Sequence, residues 1–413
     1  MELKLNRGED MDFEVLIIGT DANAYYMARC CHEAYGKKAY LIGKDYRAFT
    51  KYSNILNLEY DKNIWTEEGF LNALRNFRQR HLNKKILLIA SNETYVEFIS
   101  KNRKELENDF YFNVPDIDII SSLITKETFY KTYKDSILDF PKTIYYDCKK
   151  DRNLKIDFKF PVILKPSNVI MYNHIEYEGK KKIYKIEKEN ELNEIISKIK
   201  DHGYNDTLII QEFIPGDDSY LFDAVVYADR NSKVKLVSFA QIGLQEHASR
   251  MVGNAAILIN GYNSYDGNVE EMIDKITTFM EKIGYRGFAE FDMKYDVRDK
   301  KFKVLEINAR QGRCSYYISA CGYNLVSTLV DDLIFEKEIE KKVIDEEVLL
   351  SFVPKSVCKK YVKDDKFKRK ALKKWKHHVN PMRYSKDRNF LRKILLLKMK
   401  KRYIDEYKNG YWK

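Results

Sequence analysis

The chain has 413 residues, is 44% apolar with 31 tyrosines, and carries a formal net charge of +11 at pH 7. This length predicts two or three domains with a large core, and the apolar content excludes an intrinsically disordered chain. No run of about 18 apolar residues is present, so the sequence predicts no transmembrane helix.

The N-terminus and the cysteines predict a cytoplasmic protein. The first residues, MELKLNRGEDMDFE, are polar and contain no signal-peptide core. The six cysteines are scattered, without a CxxC pair or the Cys/His spacing of a metal site. We therefore expect reduced thiols rather than disulfides or zinc ligands.

The N-terminal part of the chain predicts a Rossmann-like α/β domain over 12–115. Strands are expected at 13–19 (FEVLIIG), 39–43 and 86–91, and helices at 23–35 and 67–80. Apolar strands alternating with helices are typical of βαβ units around a buried parallel sheet. The turn after the first strand, GTDANAY, lacks the spaced glycines of a dinucleotide-binding site, so NAD binding is not favoured.

The stretch 120–335 predicts one α+β unit. We expect helices at 125–135, 189–200 and 269–283, a hairpin at 176–186, and strands at 160–166, 207–214, 219–227 and 234–245. The strand FPVILKP is apolar up to Lys165, and a lysine at the inner end of such a strand is expected to point into a cleft. An ordinary surface lysine is the alternative.

The most informative stretch is 287–313, GFAEFDMKYDVRDKKFKVLEINARQGR, which alternates polar and apolar residues with the period of half-buried strands. Folding it as a hairpin about Asp299 places polar residues opposite each other, Asp292 with Glu306 and Glu290 with Asn308. Opposed carboxylates repel unless a cation lies between them, and hard oxygen ligands suit Mg²⁺ with nucleotide phosphates. A surface hairpin with its acids facing water is the alternative.

This order of elements resembles the ATP-grasp enzymes. The matching features are TKETFYKTYKD, the strand-end Lys165, the QEFI hinge at 211–214 and the carboxylate hairpin. The resemblance implies a two-lobed ATP-grasp domain over 120–335, with ATP and Mg²⁺, as two ions, for cofactors. Lys126 and Lys165 are the implied phosphate-binding lysines, acting as point charges.

The resemblance also assigns the rest of the nucleotide and metal site. The backbone from Glu212 through Phe213 to Ile214 is expected to meet adenine, and Asp218, in preference to Asp217, the ribose hydroxyls. An ordinary turn is the alternative for the IPGDD stretch. The implied metal ligands are Asp292, Glu306 and Asn308, with Glu290 left open as the first ligand instead of Asp292.

Four further residues are expected on the substrate side. Arg310 and Arg250 are the expected catalytic residues, Arg310 lying against the phosphates or the acyl phosphate. Arg250 and Arg313 suit a carboxylate clamp. His247 is expected near the substrate as a local base, although a loop histidine without a role fits equally well.

One stretch departs from the family pattern. Many ATP-grasp enzymes place a glycine-rich flap over the phosphates, whereas PSNVIMYNHIEYEGKKK contains Gly179 alone. We therefore expect a bulkier hairpin as the flap, with a lysine from 180–182 at the phosphates.

A closer resemblance extends over about 13–335, carried by GTDANAYYMARCCHEAYG, by KETFYKTYKD with FPKT, and by EINARQGRCSYYISACGYNL. These stretches resemble the D-aspartate ligase branch of the ATP-grasp carboxylate–amine ligases. The branch activates an amino-acid carboxylate as an acyl phosphate and attaches it to the lysine side-chain amine of a peptidoglycan precursor. The alternatives are a ligase for another amino acid, a peptide or a surface polysaccharide, and a non-catalytic ATP-binding or membrane-binding scaffold.

The positive charge is concentrated near the C-terminus, in a segment expected to span 336–413. Between Lys355 and Arg402 there are twenty Lys/Arg and three Asp, a net charge of +17, so the rest of the chain carries about −6. A solvated helical face, peripheral contact with an anionic inner membrane surface, and nucleic-acid binding are the three interpretations. The membrane surface or an anionic nucleotide-linked precursor is favoured, and nucleic acid is not.

Overall fold

The computed structural model describes residues 12–150, 154–246 and 253–409. Its first sheet, the N-terminal sheet, is parallel with strand order β3-β2-β1-β4. The strands are β1 (Phe13–Ile18), β2 (Ala39–Gly43), β3 (Leu56–Tyr60) and β4 (Lys85–Ala90), and the helices are α1 (Ala22–Tyr35), α2 (Glu67–Arg80), α3 (Glu93–Lys101) and α4 (Arg103–Leu106). The expected βαβ pattern is confirmed. The sequence did not predict β3, a half-buried edge strand whose polar residues weaken its apolar signal.

A second sheet, the hinge sheet, is antiparallel with order β5-β8-β6-β7. It follows α5 (Ile117–Ile124) and α6 (Lys126–Tyr133), and contains β5 (Thr143–Asp147), β6 (Val162–Pro166), α7 (Val169–Asn173), β7 (Tyr184–Ile186), α8 (Glu189–Asp201) and β8 (Thr207–Glu212). The predicted hairpin at 176–186 is wrong. Only β7 forms a strand there, and it pairs with β6. The hydroxyls of Tyr172, Tyr177 and Tyr184 instead bond to one another and close the segment as a turn.

The third sheet, the large sheet, has eight strands, with the path β14-β13-β9-β11-β12-β16 and with β10 pairing β9 and β15. Its elements are β9 (Leu221–Ala228), β10 (Val234–Ser238), β11 (Ala240–Gln245), β12 (Ala255–Asn260), α9 (Val269–Lys282), β13 (Gly287–Asp296), β14 (Lys301–Asn308), α10 (Tyr316–Ala320), α11 (Leu325–Leu333), β15 (Lys342–Ile344) and β16 (Leu349–Ser351). The expected strand 234–245 is divided into β10 and β11. This mixture of parallel and antiparallel sheets confirms the predicted α/β and α+β class.

The register of the β13–β14 hairpin agrees with the prediction. Asp292 pairs with Glu306, and Glu290 pairs with Asn308. A bulge follows Asp292, so that Met293 pairs with Val304. The alternation alone was sufficient for this register because a slip of one residue would turn the buried face towards solvent.

The basic C-terminal segment packs against the rest of the protein. It contains α12 (Lys355–Tyr361), α13 (Asp365–Lys374) and α14 (Phe390–Asn409). Phe367 of α13 is fully buried, and a Cβ on Gly243 of β11 would fall 1.9 Å from its ring. Within the described part of the chain, no helix is long and apolar enough to cross a membrane. The domain limits at 12–115, 120–335 and 336–413 stay predictions.

Candidate functional site

A cleft of about 580 Å³ lies between the hinge sheet and the large sheet. That volume is in the usual range for small-molecule sites. It brings together all six residues predicted to bind the nucleotide and two of the predicted metal ligands: Lys126, Lys165, Glu212, Phe213, Ile214, Asp218, Asp292 and Glu306. Sequence positions up to 180 residues apart therefore meet in one place.

Two lysines lie at one end of the cleft. The Nζ of Lys126, the first residue of α6, is 2.7 Å from Oε1 of Glu306. Lys165, on β6, is buried. Burial, reinforced by the charges of Lys126 and Lys182, lowers the pKa of Lys165 to about 7. Lys182 also lines the cleft, which agrees with the expectation of a lysine from 180–182.

The hinge follows β8 and also lines the cleft. The carboxylate of Glu212 accepts from the backbone N–H of Lys142 at 2.9 Å and from Arg298 at 2.9 Å. Its side chain is thus engaged by the protein, and its backbone N–H donates to the Lys142 carbonyl at 3.0 Å. The Phe213 ring lies 4.8 Å from Lys185 Nζ and 5.3 Å from Lys294 Nζ.

Asp218 and Asp217 differ in what holds them. Asp218 accepts from the backbone N–H and the side-chain amide of Gln245, at 2.9 and 2.8 Å. Asp217 caps the turn that follows it by accepting from the backbone N–H of Ser219 at 2.9 Å. Both line the cleft, and the choice of Asp218 for the ribose stays a prediction.

The acidic residues of the hairpin form a buried cluster on the large sheet. The Asn308 amide donates to Glu290 at 3.3 Å and to Asp292 at 3.2 Å. Asp223 of β9 pairs with Asp292 on the neighbouring strand and accepts from Tyr317 at 2.7 Å. Asp223 is not among the residues predicted from the sequence, although an acid inside the apolar strand LFDAVVYA was a signal for it.

The cluster is short of positive charge. Burial and the neighbouring carboxylates raise the pKa of Glu290 and Asp292 well above the usual range, and burial raises that of Asp223 to about 6. Glu306 differs because its side chain is 41% exposed and because, against partial desolvation, Lys126, Lys182 and Lys165 hold its pKa at about 2. Ionised carboxylates in such a place need a cation.

These residues fit a magnesium ion that is shared with a nucleotide. Within the described ranges, no three His, Cys, Asp or Glu side chains are grouped closely enough to hold a metal by themselves. Mg²⁺ in nucleotide sites commonly takes one or two carboxylates and completes its shell with phosphates and water. Asp292, Glu306 and the side-chain oxygen of Asn308 provide such a set. The Asn308 side-chain amide must first turn by half a rotation, because its nitrogen now donates to Glu290 and Asp292.

Arg310 lies where the hairpin meets the N-terminal sheet. Its guanidinium is 2.7 Å from Glu93 of α3 and 3.2 Å from Glu290. Burial works against its charge, but these two acids raise its pKa above the usual range. The next residue, Gln311, donates to the Ala90 carbonyl at 2.9 Å, at the carboxyl end of β4. Ligands commonly bind at this end of parallel strands.

Glycine at 312 is required for the close approach of this turn to Glu290. A Cβ at this position would fall 1.5 Å from Glu290 Oε1. Its carbonyl accepts from Tyr26 of α1 at 2.6 Å. The backbone after the hairpin is thereby fixed beside the acidic cluster.

Arg313 does not reach the cleft. Its guanidinium pairs with Glu246 and donates to Tyr403 of α14 at 2.7 Å. Arg313 is not among the residues that line the cleft. The Phe352 ring lies 4.4 Å from it. The predicted substrate role of Arg313 gains no support from these contacts. His247 and Arg250 lie outside the described residues.

Lys294 is a second cleft residue without a role predicted from the sequence. It lines the cleft and donates to the Gly216 carbonyl at 3.0 Å. Burial lowers its pKa to about 8, although Asp218 and Asp217 favour its charged form. The alternation that placed Lys294 on the same face as Glu290 and Asp292 was the signal for it.

The chain is 33% identical to a D-aspartate ligase from Enterococcus faecium (strain Aus0004) over 421 residues, covering 98% of this chain and 99% of that one. No family model matches the chain. Among solved structures, an L-amino acid ligase from Bacillus licheniformis has a TM-score of 0.57 at 14% identity, covering 81% of this chain and 78% of its own. The biotin carboxylase domain of the Hydrogenobacter thermophilus 2-oxoglutarate carboxylase, solved with MgADP, has a TM-score of 0.56 at 16% identity, covering 81% and 72%.

Proposed function

Since the chain belongs to the ATP-grasp carboxylate–amine ligase family, an enzyme class that forms amide bonds at the expense of ATP, we propose that its acyl donor is D-aspartate. The reaction activates one carboxylate of D-aspartate as an acyl phosphate. It then joins the acyl group to the lysine side-chain amine of a peptidoglycan precursor and releases ADP and phosphate. The choice of D-aspartate is supported by the 33% identity to a D-aspartate ligase over 98% of the chain. The ATP-dependent chemistry is supported by one cleft that holds both lysines, the hinge and the carboxylate hairpin.

The cleft residues act on the nucleotide by position and charge. The hinge backbone at 212–214 receives adenine, and Asp218 accepts from the ribose hydroxyls. Lys126 and Lys165 hold the phosphates and offset the charge that develops as the γ-phosphoryl group passes to the carboxylate. In phosphoryl transfer such electrostatic stabilisation provides most of the rate.

Asp292, Glu306 and Asn308 are proposed to hold magnesium, as two ions. Bound there, magnesium would offset the negative charge of the nucleotide phosphates. Glu306 has a second task, because its carboxylate fixes the Lys126 ammonium at 2.7 Å. The hairpin therefore orients a phosphate-binding lysine and a metal ligand together.

The acyl donor is proposed to bind between the hairpin exit and the carboxyl ends of β1 and β4. Arg310, held by Glu93 and Glu290, faces the acyl phosphate there. Arg250 and Arg313 remain candidates for a carboxylate clamp, and His247 for a local base. The amine attacks the acyl carbon, a C–N bond forms, and phosphate leaves with the electrons of the C–O bond.

The pKa of Lys165 predicts how ATP affinity depends on pH. Its value of about 7 in the ligand-free protein means that the ammonium loses its proton as the pH rises through 7. Phosphates bind the charged form, so the Kd for ATP should rise up to about tenfold per pH unit above 7. Calorimetry at pH 8 in two buffers of different protonation enthalpy should show proton uptake on ATP binding.

Lys165→Arg is the matched control for this pH dependence. A guanidinium stays charged throughout this range, so the variant should lose the proton uptake and the rise in Kd. An unchanged pH dependence in the variant would assign the titration to another group.

Phosphate release against a panel of D- and L-amino acids, with and without a lysine-containing peptidoglycan precursor, tests the function. Release that needs both D-aspartate and the precursor is the expected result. Release with another amino acid, a peptide or a polysaccharide would keep the chemistry and replace the substrate. ATP binding without release for any pair would favour a non-catalytic scaffold.

The proposed place of the reaction is the cytoplasm, with the basic C-terminal segment in peripheral contact with an anionic inner membrane surface. The net charge of +17 between Lys355 and Arg402 supports this contact, since each basic residue near such a surface contributes about 1 kcal/mol. An anionic, nucleotide-linked precursor is a second partner for the same charge.

A further inference from the structure

The helix α14 presents apolar side chains to solvent. Phe390 is 75% exposed, Leu391 48% and Leu397 57%. Phe390 and Leu397 are seven residues apart and so lie on nearly the same side of the helix, with Leu391 along one edge. Large apolar side chains in such a group on a protein surface mark a site of interaction.

Lysines surround these apolar side chains on the same side of α14. At helical spacing, Lys401 lies in line with Phe390 and Leu397. Lys398 lies on the same edge as Leu391, and Lys393 and Lys400 lie on the other edge. All four lysines are exposed. We call this surface the docking face: Phe390, Leu391, Lys393, Leu397, Lys398, Lys400 and Lys401.

The opposite side of α14 is held firmly by the protein. Arg392 is buried and forms an ion pair with Asp387 at 2.8 Å. Further along, Tyr403 accepts from Arg313 at 2.7 Å, and the Tyr407 hydroxyl donates to the Gln245 carbonyl at 2.5 Å. The helix therefore displays the docking face in a fixed orientation.

The composition of the docking face selects its partner. Its charge requires an anionic surface, and the segment around it is basic as well. Nucleic acid would satisfy the lysines and could stack a base on Phe390, but it offers no apolar phase for Leu391 and Leu397. Apolar side chains flanked by lysines on an exposed helix face suit a lipid interface, because the apolar groups can enter the acyl region while the long lysine side chains reach the headgroup phosphates.

We infer that α14 docks flat on an anionic lipid surface, with Phe390, Leu391 and Leu397 entering the boundary between headgroups and acyl chains. The lysines of the docking face contact the lipid phosphates. This inference specifies the peripheral contact proposed above and is independent of the ligase chemistry. It also places the cleft, which α14 contacts through Gln245, at a fixed distance from the membrane.

Co-sedimentation of the full chain with vesicles tests the inference. The vesicles contain either phosphatidylcholine alone or phosphatidylcholine with phosphatidylglycerol. The wild-type chain should bind the second kind, and added salt should weaken the binding. The triple variant Phe390→Ser/Leu391→Ser/Leu397→Ser should lose at least about tenfold in partitioning. A matched control, Leu82→Ser/Ile124→Ser/Ile137→Ser, removes apolar residues of similar exposure elsewhere and should bind like the wild type.

The variant Lys393→Gln/Lys398→Gln/Lys401→Gln should lose about fivefold for each lysine on anionic vesicles. Phosphate release with soluble substrates should stay unchanged in both α14 variants, which separates this test from that of the ligase reaction. Substitutions are preferable to deletion of the segment, because deletion would also remove buried residues such as Phe367.

Three results would overturn the inference. The first is a wild-type chain that does not sediment with anionic vesicles. The second is a serine variant that binds them as well as the wild type. The third is nucleic-acid binding that the glutamine variant loses while vesicle binding is absent, which would assign the charge to nucleic acid instead.

Discussion

Glu306→Gln is expected to abolish ATP turnover, with a loss of at least about 10²–10³-fold in kcat and with the fold intact. Glutamine has nearly the same shape but lacks the charge that pairs with Lys126 at 2.7 Å and that is proposed to bind magnesium. Among the carboxylates of the cluster, Glu306 is the one whose pKa the surrounding lysines hold at about 2. Its carboxylate is therefore ionised at neutral pH.

The measurement is phosphate release at saturating ATP, together with the circular dichroism spectrum and the melting temperature of the variant. Glu105→Gln is the matched control, since Glu105 forms an exposed ion pair with Arg75 far from the cleft; it should keep full activity. Turnover close to that of the wild type in Glu306→Gln would remove the metal-site assignment.

The first metal ligand is decided by two further variants. Both Glu290 and Asp292 contact the Asn308 amide, but Asp292 lines the cleft whereas Glu290 pairs with Arg310, which favours Asp292. The magnesium concentration needed for half-maximal rate should rise for Asp292→Asn if Asp292 is the ligand. Glu290→Gln should then act mainly through Arg310, which Glu290 contacts at 3.2 Å, and should change the KM of the amino acid.

Local periodicity predicted the parts of the fold and the candidate site that depend on neighbouring residues. The β13–β14 register followed from alternation over about twenty residues, and the structure has the same pairs. The ends of β6 and β8 followed from apolar runs that stop at Lys165 and at the hinge. Alternation fixes the register of the hairpin, and a continuous apolar run marks a strand that is buried on both faces, so in each case the sequence pattern contains the answer.

Contacts between distant residues could not be predicted in this way. Asp223 reaches the acidic cluster because β9 pairs with β13, a pairing that no local pattern specifies. Arg313 has the composition of a substrate clamp, yet Glu246 and Tyr403, which lie 67 and 90 residues away, bind it. The predicted hairpin at 176–186 failed for a different reason, since the hydroxyls of three tyrosines close in sequence bond to one another across a turn; the expected lysine, Lys182, does line the cleft.

The same limit applied to the basic C-terminal segment. Its composition suggested a solvated or membrane-facing extension, whereas α12 and α13 bury Val357, Cys358 and Phe367 against the large sheet and its surroundings. Tyr361 even lines the cleft. Charge counts describe the exposed surface of a segment, but they do not show which of its residues are buried.

Arg392→Met is expected to lower the free energy of unfolding by about 3–5 kcal/mol. Arg392 and Asp387 form an ion pair at 2.8 Å with side chains that are 2% and 0% exposed. Asp387 also accepts from Tyr25 and from Ser53, and Arg392 donates to the carbonyl of Phe49. Removal of the guanidinium leaves a buried carboxylate without its counter-charge and releases the loop around 49–54 from α14.

Urea unfolding followed by circular dichroism measures this loss, and Arg402→Met is the matched control. Arg402 pairs with Glu406 at 3.0 Å but is 61% exposed, so its replacement should cost less than about 1 kcal/mol. The double variant Arg392→Met/Asp387→Asn should recover part of the stability, because it removes the unpaired charge as well. Equal stability of Arg392→Met and Arg402→Met would show that the buried pair does not hold the C-terminal segment to the N-terminal sheet.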